Sequence, residues 1–498
     1  MYISSYMVIN VCNQGLLRLE MFDMSPDGIA CARAPTADFR EEDVNKVKTS
    51  AEDVLLARRH FLGAAAAAAA LGAGLVPRGA FAQEGAWSLR PGSEVDRINF
   101  VVWQFGNIYD EIAAQFEADW GVPVEKIIEP NIDPQIAKLT SMYAAGEDID
   151  VLVSPLQTMA SYIDQGIAAP LDGLPGLEDY AADMTPLARS IATRDDQIWG
   201  LPYLSIAWNF IYNSELLEKA GFADKPFTSW EELTEQCLKA KADGVSNYPL
   251  LWVAGAAFDP LPGTWFAQVA NRGGRVFAPD MTPELGPGSV AREALQYFQD
   301  SFLKHEIADP DSLNLKFLPA VKVFNTGNHI YLGALHNYYM NLVNDPAQSP
   351  IAGKGRIHPL PGDGKTLAVT WYYMLSEATR DREWAWKLLQ YLGGKTKDGA
   401  YTQALKLAKD SMLAPGYSSV MNSPELREVW SQRVDVDAML GIFDKAVPYT
   451  DVVPAVNEPW YPQWNEMLNV ELTACLRGQI TADEACDNMV ANIDRAKS

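Results

Sequence analysis

Apolar positions change their spacing several times along the chain, and each change marks an element. Ile98-Asn-Phe-Val-Val-Trp103 is a short apolar, β-branched run suited to a buried strand, and residues 107–120 then carry apolar side chains at helical spacing. Residues 122–128 read as a second strand. A helix over 134–145 stops at Gly146, a strand follows over 149–154, and a helix over 158–165 closes at Gly166. This alternation predicts a parallel sheet with helices on both faces. In such sheets ligands bind beyond the carboxyl ends of strands, here just after Val102 and Val153. Helical patterns return over 230–243, 290–305 and 318–326, separated by Gly/Pro-rich loops at 260–263 and 271–274. Residues 330–334 look like a strand and 355–362 like an extended, turn-bounded piece. The last third is mainly helical, notably 382–392 and 462–476. No fixed-period repeat occurs, which removes solenoids and propellers.

One stretch stands apart. Ala57-Arg58-Arg59-His60-Phe61-Leu62-Gly63 runs into an alanine-rich apolar segment ending at Val76, then Pro77-Arg78-Gly79-Ala80-Phe81-Ala82. It has the basic, apolar and small-x-small parts of an export signal, and its paired arginines resemble a twin-arginine (Tat) address. Its apolar run is shorter than the ~20 residues that a spanning helix needs. Residues 58–82 are therefore expected to be a Tat-like signal peptide cut after Ala82. Upstream lie the acidic runs Glu41-Glu42-Asp43 and Glu52-Asp53, unusual before such a signal. Residues 1–57 are expected to be a non-native or disordered extension, with Met21 or Met24 as later starts.

The chain has 498 residues, too many for one core, and two or three lobes are the prior. Forty Lys+Arg against 64 Asp+Glu give a formal charge of −24, which argues against nucleic acid or an anionic membrane as partner, since both need a basic surface. Beyond the signal remain Cys237, Cys475 and Cys486, with no metal-ligand spacing. Cys237 lies in a helical pattern as a buried thiol. Cys475 and Cys486 flank a helix stop at Gly478 and a helix start at Thr481, so a helical hairpin could bring them together in an oxidising compartment.

Several phrases fall in one order. Asp150-Val-Leu-Val-Ser-Pro155, Gly166-Ile-Ala-Ala-Pro-Leu-Asp172, Gly200-Leu-Pro-Tyr203, Tyr212-Asn213 with Leu216-Leu-Glu-Lys-Ala-Gly221, and Pro226-Phe-Thr-Ser-Trp-Glu-Glu-Leu233 are followed by Phe324-Asn-Thr-Gly327, Pro359-Leu-Pro-Gly362 and Gly478-Gln-Ile-Thr-Ala-Asp-Glu-Ala485. Taken together, over about residues 96–497, the set resembles the family 1 extracellular solute-binding proteins of bacterial ABC importers, the maltose-binding-protein-like sugar binders. The resemblance implies a two-lobed α/β periplasmic binding protein (type II), hinge-linked, with a helical C-terminal part. The first lobe would span 96–207 plus about 330–375, the second 208–329 plus about 376–497. It further implies a periplasmic monomer that captures a sugar, oligosaccharide or polyol by cleft closure and delivers it to membrane permease subunits. No cofactor, metal or nucleic acid is called for.

Sugars present apolar C–H faces to aromatic rings while their hydroxyls need donors and acceptors. Trp103, Gln104 and Asn107 offer that mix after the first strand, and Ser154 offers a hydroxyl after the next. Asn209 lies beside Trp208 in the expected crossover. In the second lobe the candidates are Trp252, Asp259 and Trp265; further along the chain are His336, Asn337 and Tyr338 beyond a strand, then Trp371, and Trp460 near the end.

Catalysis has little support: there is no H-E-x-x-H, no G-x-S-x-G and no phosphate-binding glycine loop. Two rivals remain. One is a receptor for a polyamine or other cation, which needs several acids at both ends of an aromatic tunnel. The other is an exported carbohydrate-active hydrolase.

Overall fold

The computed structural model describes residues 5–11, 17–25, 28–29, 95–104, 108–155 and 158–498. The Tat-like segment lies outside them, as does Asn107. The chain forms two compact units, Met1–Ser88 and Leu89–Ser498. In the first, β1 (Ser5–Val11) and β2 (Leu17–Ser25) pair antiparallel from Ser5↔Asp23 to Val11↔Leu17, and β3 (Gly28–Ile29) extends the sheet beyond β2.

The second unit opens with β4 (Ile98–Trp103), β5 (Val124–Glu129), β6 (Val151–Ser154) and the short β7 (Ala168–Ala169). A two-stranded ribbon, β8 (Thr193–Arg194) and β9 (Gln197–Ile198), leads into β10 (Leu201–Asn213). Then come β11 (Leu250–Trp252), β12 (Tyr331–His336), β13 (Gly355–His358), β14 (Thr366–Ser376) and β15 (Ala446–Pro448). The strand order is β11-β12-β10-β14-β6-β4-β5. As expected, β4 runs parallel to β5 and β6. The whole sheet is mixed, however, because β14 enters antiparallel beside β6 and β10 antiparallel beside β14.

β10 is the strand that joins everything. Its first half, Leu201–Ala207, pairs with β14, and its second half, from Trp208, pairs with β12 and β13. All thirteen residues are buried, so the run shows no alternation. Thr366 donates its hydroxyl to the Trp208 carbonyl at 2.8 Å, and the Ser205 and Thr370 hydroxyls meet at 2.8 Å.

This pairing moves the expected lobe boundaries. β12 and β13 belong beside β11 and the far half of β10, so the return to the β4–β6 sheet begins at Thr366 and not near residue 330. The Arg382–Gly393 helix also belongs with that first sheet. Its Trp384 and Tyr391 pack edge-on against Phe116 of the Ile108–Trp120 helix, with centroids 6.3 and 5.0 Å away.

Two local features aim the far half of the sheet. β12 sets Gly333 and Ala334 opposite the single residue Phe210, a bulge with Ala334 held at φ 54°. A Cβ on Gly333 would fall 2.4 Å from the Trp252 ring and 2.7 Å from Phe210, so only glycine lets these rings close over the strand. At the C-terminus the Tyr461–Leu476 and Ala482–Lys497 helices form the expected hairpin, started by a Thr481/Glu484 capping box. Cys475 and Cys486 lie buried within it as free thiols, as does Cys237 in its helix. Among the described residues no helix is long and apolar enough to cross a membrane.

Candidate functional site

Along β10, residues 204, 206 and 208 share one face. Leu204 is the cross-strand partner of Trp371 on β14, and Trp208 is the partner of His336 on β12. Two groups of candidate residues are thereby set on the same face, separated along the strand by four residues, about 13 Å at ~3.3 Å per residue.

The first group is aromatic. Trp103, at the end of β4, meets Trp371 edge-on at 5.3 Å and Tyr203 at 5.8 Å. Behind them Tyr109 donates to the Tyr203 hydroxyl, so buried phenols back the ring platform. Trp371 remains partly exposed and Gln104 is exposed just beyond the strand. Ser154 ends β6 as expected, but its buried hydroxyl is engaged with the Pro155 carbonyl and the Thr158 hydroxyl, both at 3.1 Å.

The second group is polar inside an aromatic wall. Asp259 precedes the Pro260–Asn271 helix, yet its side chain makes no capping hydrogen bond and is 29% exposed. The loop before it is pinned from the Tyr461–Leu476 helix: Asn469 accepts from the Ala257 N–H and Asn465 donates to the Phe258 carbonyl. His336 Nε2 lies 3.5 Å from Asp259 Oδ2, within ion-pair range but too long for a good hydrogen bond, and this buried nitrogen has no hydrogen-bond partner. The Trp208 ring stands edge-on to His336 at 4.6 Å, and its buried Nε1–H also finds no acceptor. Gly263 lets the carboxylate and the indole pack close against its helix, since a Cβ there would come within 2.8 Å of Asp259 Oδ1 and 3.1 Å of the Trp208 indole.

Tyrosines enclose the carboxylate. Burial first, then Tyr339, then the Asp259 charge push the Tyr338 phenol well above its ordinary pKa. Burial, Tyr461 and Asp259 do the same to Tyr449. These phenols stay protonated at neutral pH, and each is hydrogen-bonded to a neighbouring tyrosine, Tyr338 to Tyr339 and Tyr449 to Tyr461. The arrangement offers one acceptor carboxylate, two unsatisfied ring nitrogens and flat apolar walls, the chemistry of recognition without a nucleophile–base pair. Among the described residues no group of three His, Cys, Asp or Glu is placed to hold a metal.

Several expected site residues serve the scaffold instead. Trp252 is fully buried against Phe210 and Phe298, its Nε1 bound to Ser301 Oγ, because the bulge turns β12 beneath it. Trp265 is fully buried with Nε1 on the Ala291 carbonyl, since it sits on the inner face of its helix. Asn337 accepts from the Ala207 N–H and donates toward the Met412 carbonyl, clamping the crossing strand. Asn209 is buried on the opposite face of β10 from Trp208, its amide on the Phe210 carbonyl. Trp460 packs against Phe277, Trp464 and Lys497. Sequence reasoning places Trp208 beside Asn209 in the crossover without singling it out, and it passes over Gly263 and Asn465, which no local pattern marks.

The family model described as bacterial extracellular solute-binding protein matches residues 103–397. The chain belongs to this family. It is a solute-binding protein that acts outside the cytoplasm, and not an enzyme. A binding protein of Brucella abortus strain 2308 is 26% identical over 301 residues, covering 60% of this chain and 71% of that one. Among solved structures, maltose-bound MalE3 of T. maritima is 23% identical, covers 80% of this chain and 99% of its own, and superposes with a TM-score of 0.64. An ABC transporter solute-binding protein of Agrobacterium radiobacter in complex with ribitol is 17% identical, with 80% and 98% covered and a TM-score of 0.65. The fold is the two-lobed α/β one of these binding proteins.

Proposed function

We propose that this chain is the substrate-binding component of an ABC importer, a periplasmic monomer exported by the Tat route, which captures a sugar, oligosaccharide or polyol and hands it to membrane permease subunits. The observation that carries this reading is the pairing, on one face of β10, of the Trp103–Trp371 platform with the Asp259–His336–Trp208 corner. Rings take the C–H faces of a sugar, and the corner takes its hydroxyls. The relatives bound to maltose and to ribitol support the same ligand class. Closure would turn about β10 and β14, the strands shared between the two halves of the sheet. A ligand touching both halves stabilises only the closed form and so shifts the population by its differential affinity.

A cationic ligand fits less well, because Asp259 is the only acid among the candidate residues brought together, where a polyamine needs acids at both ends. A thermal-shift screen against neutral sugars, polyols, polyamines and amino acids tests the reading. A ligand at 100 times its dissociation constant adds about 2.7 kcal/mol to stability. Stabilisation by a sugar or polyol supports it, and stabilisation by polyamines alone replaces it with the cationic reading.

A further inference from the structure

Among the described residues His336 is the only basic side chain within ion-pair distance of Asp259; no lysine or arginine pairs with it. The carboxylate accepts no hydrogen bond from its own helix, and two buried ring nitrogens beside it, His336 Nε2 and Trp208 Nε1, have no hydrogen-bond partner. Gly263 lets Asp259 and the indole pack close against the same helix. A buried unpaired N–H is costly until something accepts from it. A hydroxyl can do both jobs, donating to Asp259 while accepting from the indole. An anionic oxygen can only accept, and it would meet a like charge in a partly buried, aromatic-walled site.

Resting on the sugar or polyol reading, we infer that Asp259, with His336 and Trp208, is a specificity subsite for an uncharged, hydroxyl-bearing end of the ligand, and that it excludes acidic solutes such as uronates, aldonates and sugar phosphates. Adjacent hydroxyls of one ring or alditol end would share the two carboxylate oxygens, and the Trp208 N–H would be satisfied by one of the same oxygens.

The test is titration calorimetry with neutral and acidic members of one skeleton: glucose with glucuronate and glucose 6-phosphate, galactose with galacturonate, maltose with maltobionate, and mannitol with mannonate. The expected result is that whichever skeleton binds does so at least tenfold more tightly in its neutral form. Asp259→Asn, which removes the charge at constant shape, should weaken the neutral member and narrow the gap to the acid. Acid binding equal to neutral binding in the native protein overturns the inference while leaving the sugar reading intact, and this comparison needs no variant. A gap unchanged in Asp259→Asn, with its melting midpoint preserved, overturns the role of Asp259. Failure of every neutral and acidic carbohydrate to bind removes the sugar reading and the subsite with it.

Discussion

Replacing Gly263 by alanine separates recognition from stability. The new methyl would sit 2.8 Å from Asp259 Oδ1 and 3.1 Å from two atoms of the Trp208 indole. Trp208 is only 1% exposed and cannot yield, whereas the half-buried carboxylate can swing aside. Gly263 lies inside the Pro260–Asn271 helix, where Gly→Ala gains about 0.8–1 kcal/mol of helix propensity, enough to offset a modest clash. The melting midpoint without ligand should therefore hold or rise slightly. Binding should suffer, because a displaced carboxylate loses charge-assisted hydrogen bonds worth about 1.5–3 kcal/mol each. At 1.4 kcal/mol per decade, the dissociation constant should weaken roughly ten- to a hundredfold. Calorimetry with the sugar or polyol found by screening, alongside melting of both proteins, reads the two effects separately. Equal affinity in the two proteins would refute the placement of the ligand at Asp259, as would an affinity loss that merely tracks a fall in the ligand-free midpoint.

Gly333→Ala should do the opposite, destabilising by about 1–3 kcal/mol through overpacking against Trp252 and Phe210, as denaturant melts would show. Trp371→Ala should weaken sugar binding by removing half of the Trp103–Trp371 platform, whereas Trp460→Ala, whose ring lies against Phe277 and Trp464, should leave the dissociation constant unchanged. Thr481→Ala should cost about 1 kcal/mol by opening the capping box of the last helix, with no effect on affinity. Burial pushes the Cys475 and Cys486 thiols up to about 12, so both stay protonated at neutral pH, and a thiol reagent should label them only after denaturation.

Much of the frame is legible in the sequence because local signals agree with tertiary demand. The 98–154 alternation yields β4, β5 and β6 with their helices, and Ser229, Ser289 and Thr481 cap the helices that follow them. β10 is harder to read because it is buried on both faces and begins with a proline-containing turn phrase, so neither period shows. The paired partners of β12 lie about 80 and 120 residues upstream, on β11 and β10, a choice no local pattern contains. The same limit explains the candidate residues. Trp252, Trp265 and Trp371 look alike as tryptophans near loops, and only their packing decides that the first two are core while the third stays partly exposed. Asp259 stands out only in the structure, where the Pro260–Asn271 helix begins at what reads in the sequence as a Gly/Pro-rich loop and leaves this carboxylate out of its own cap.

The most direct test of the central claim is titration calorimetry of the protein with the best neutral sugar or polyol from the screen, followed by recovery and chemical analysis of that ligand. Saturable binding at one site per chain, with the ligand recovered unchanged, is the result this account requires. A ligand chemically altered on recovery, or saturation by polyamines with no response to any sugar or polyol, would contradict it.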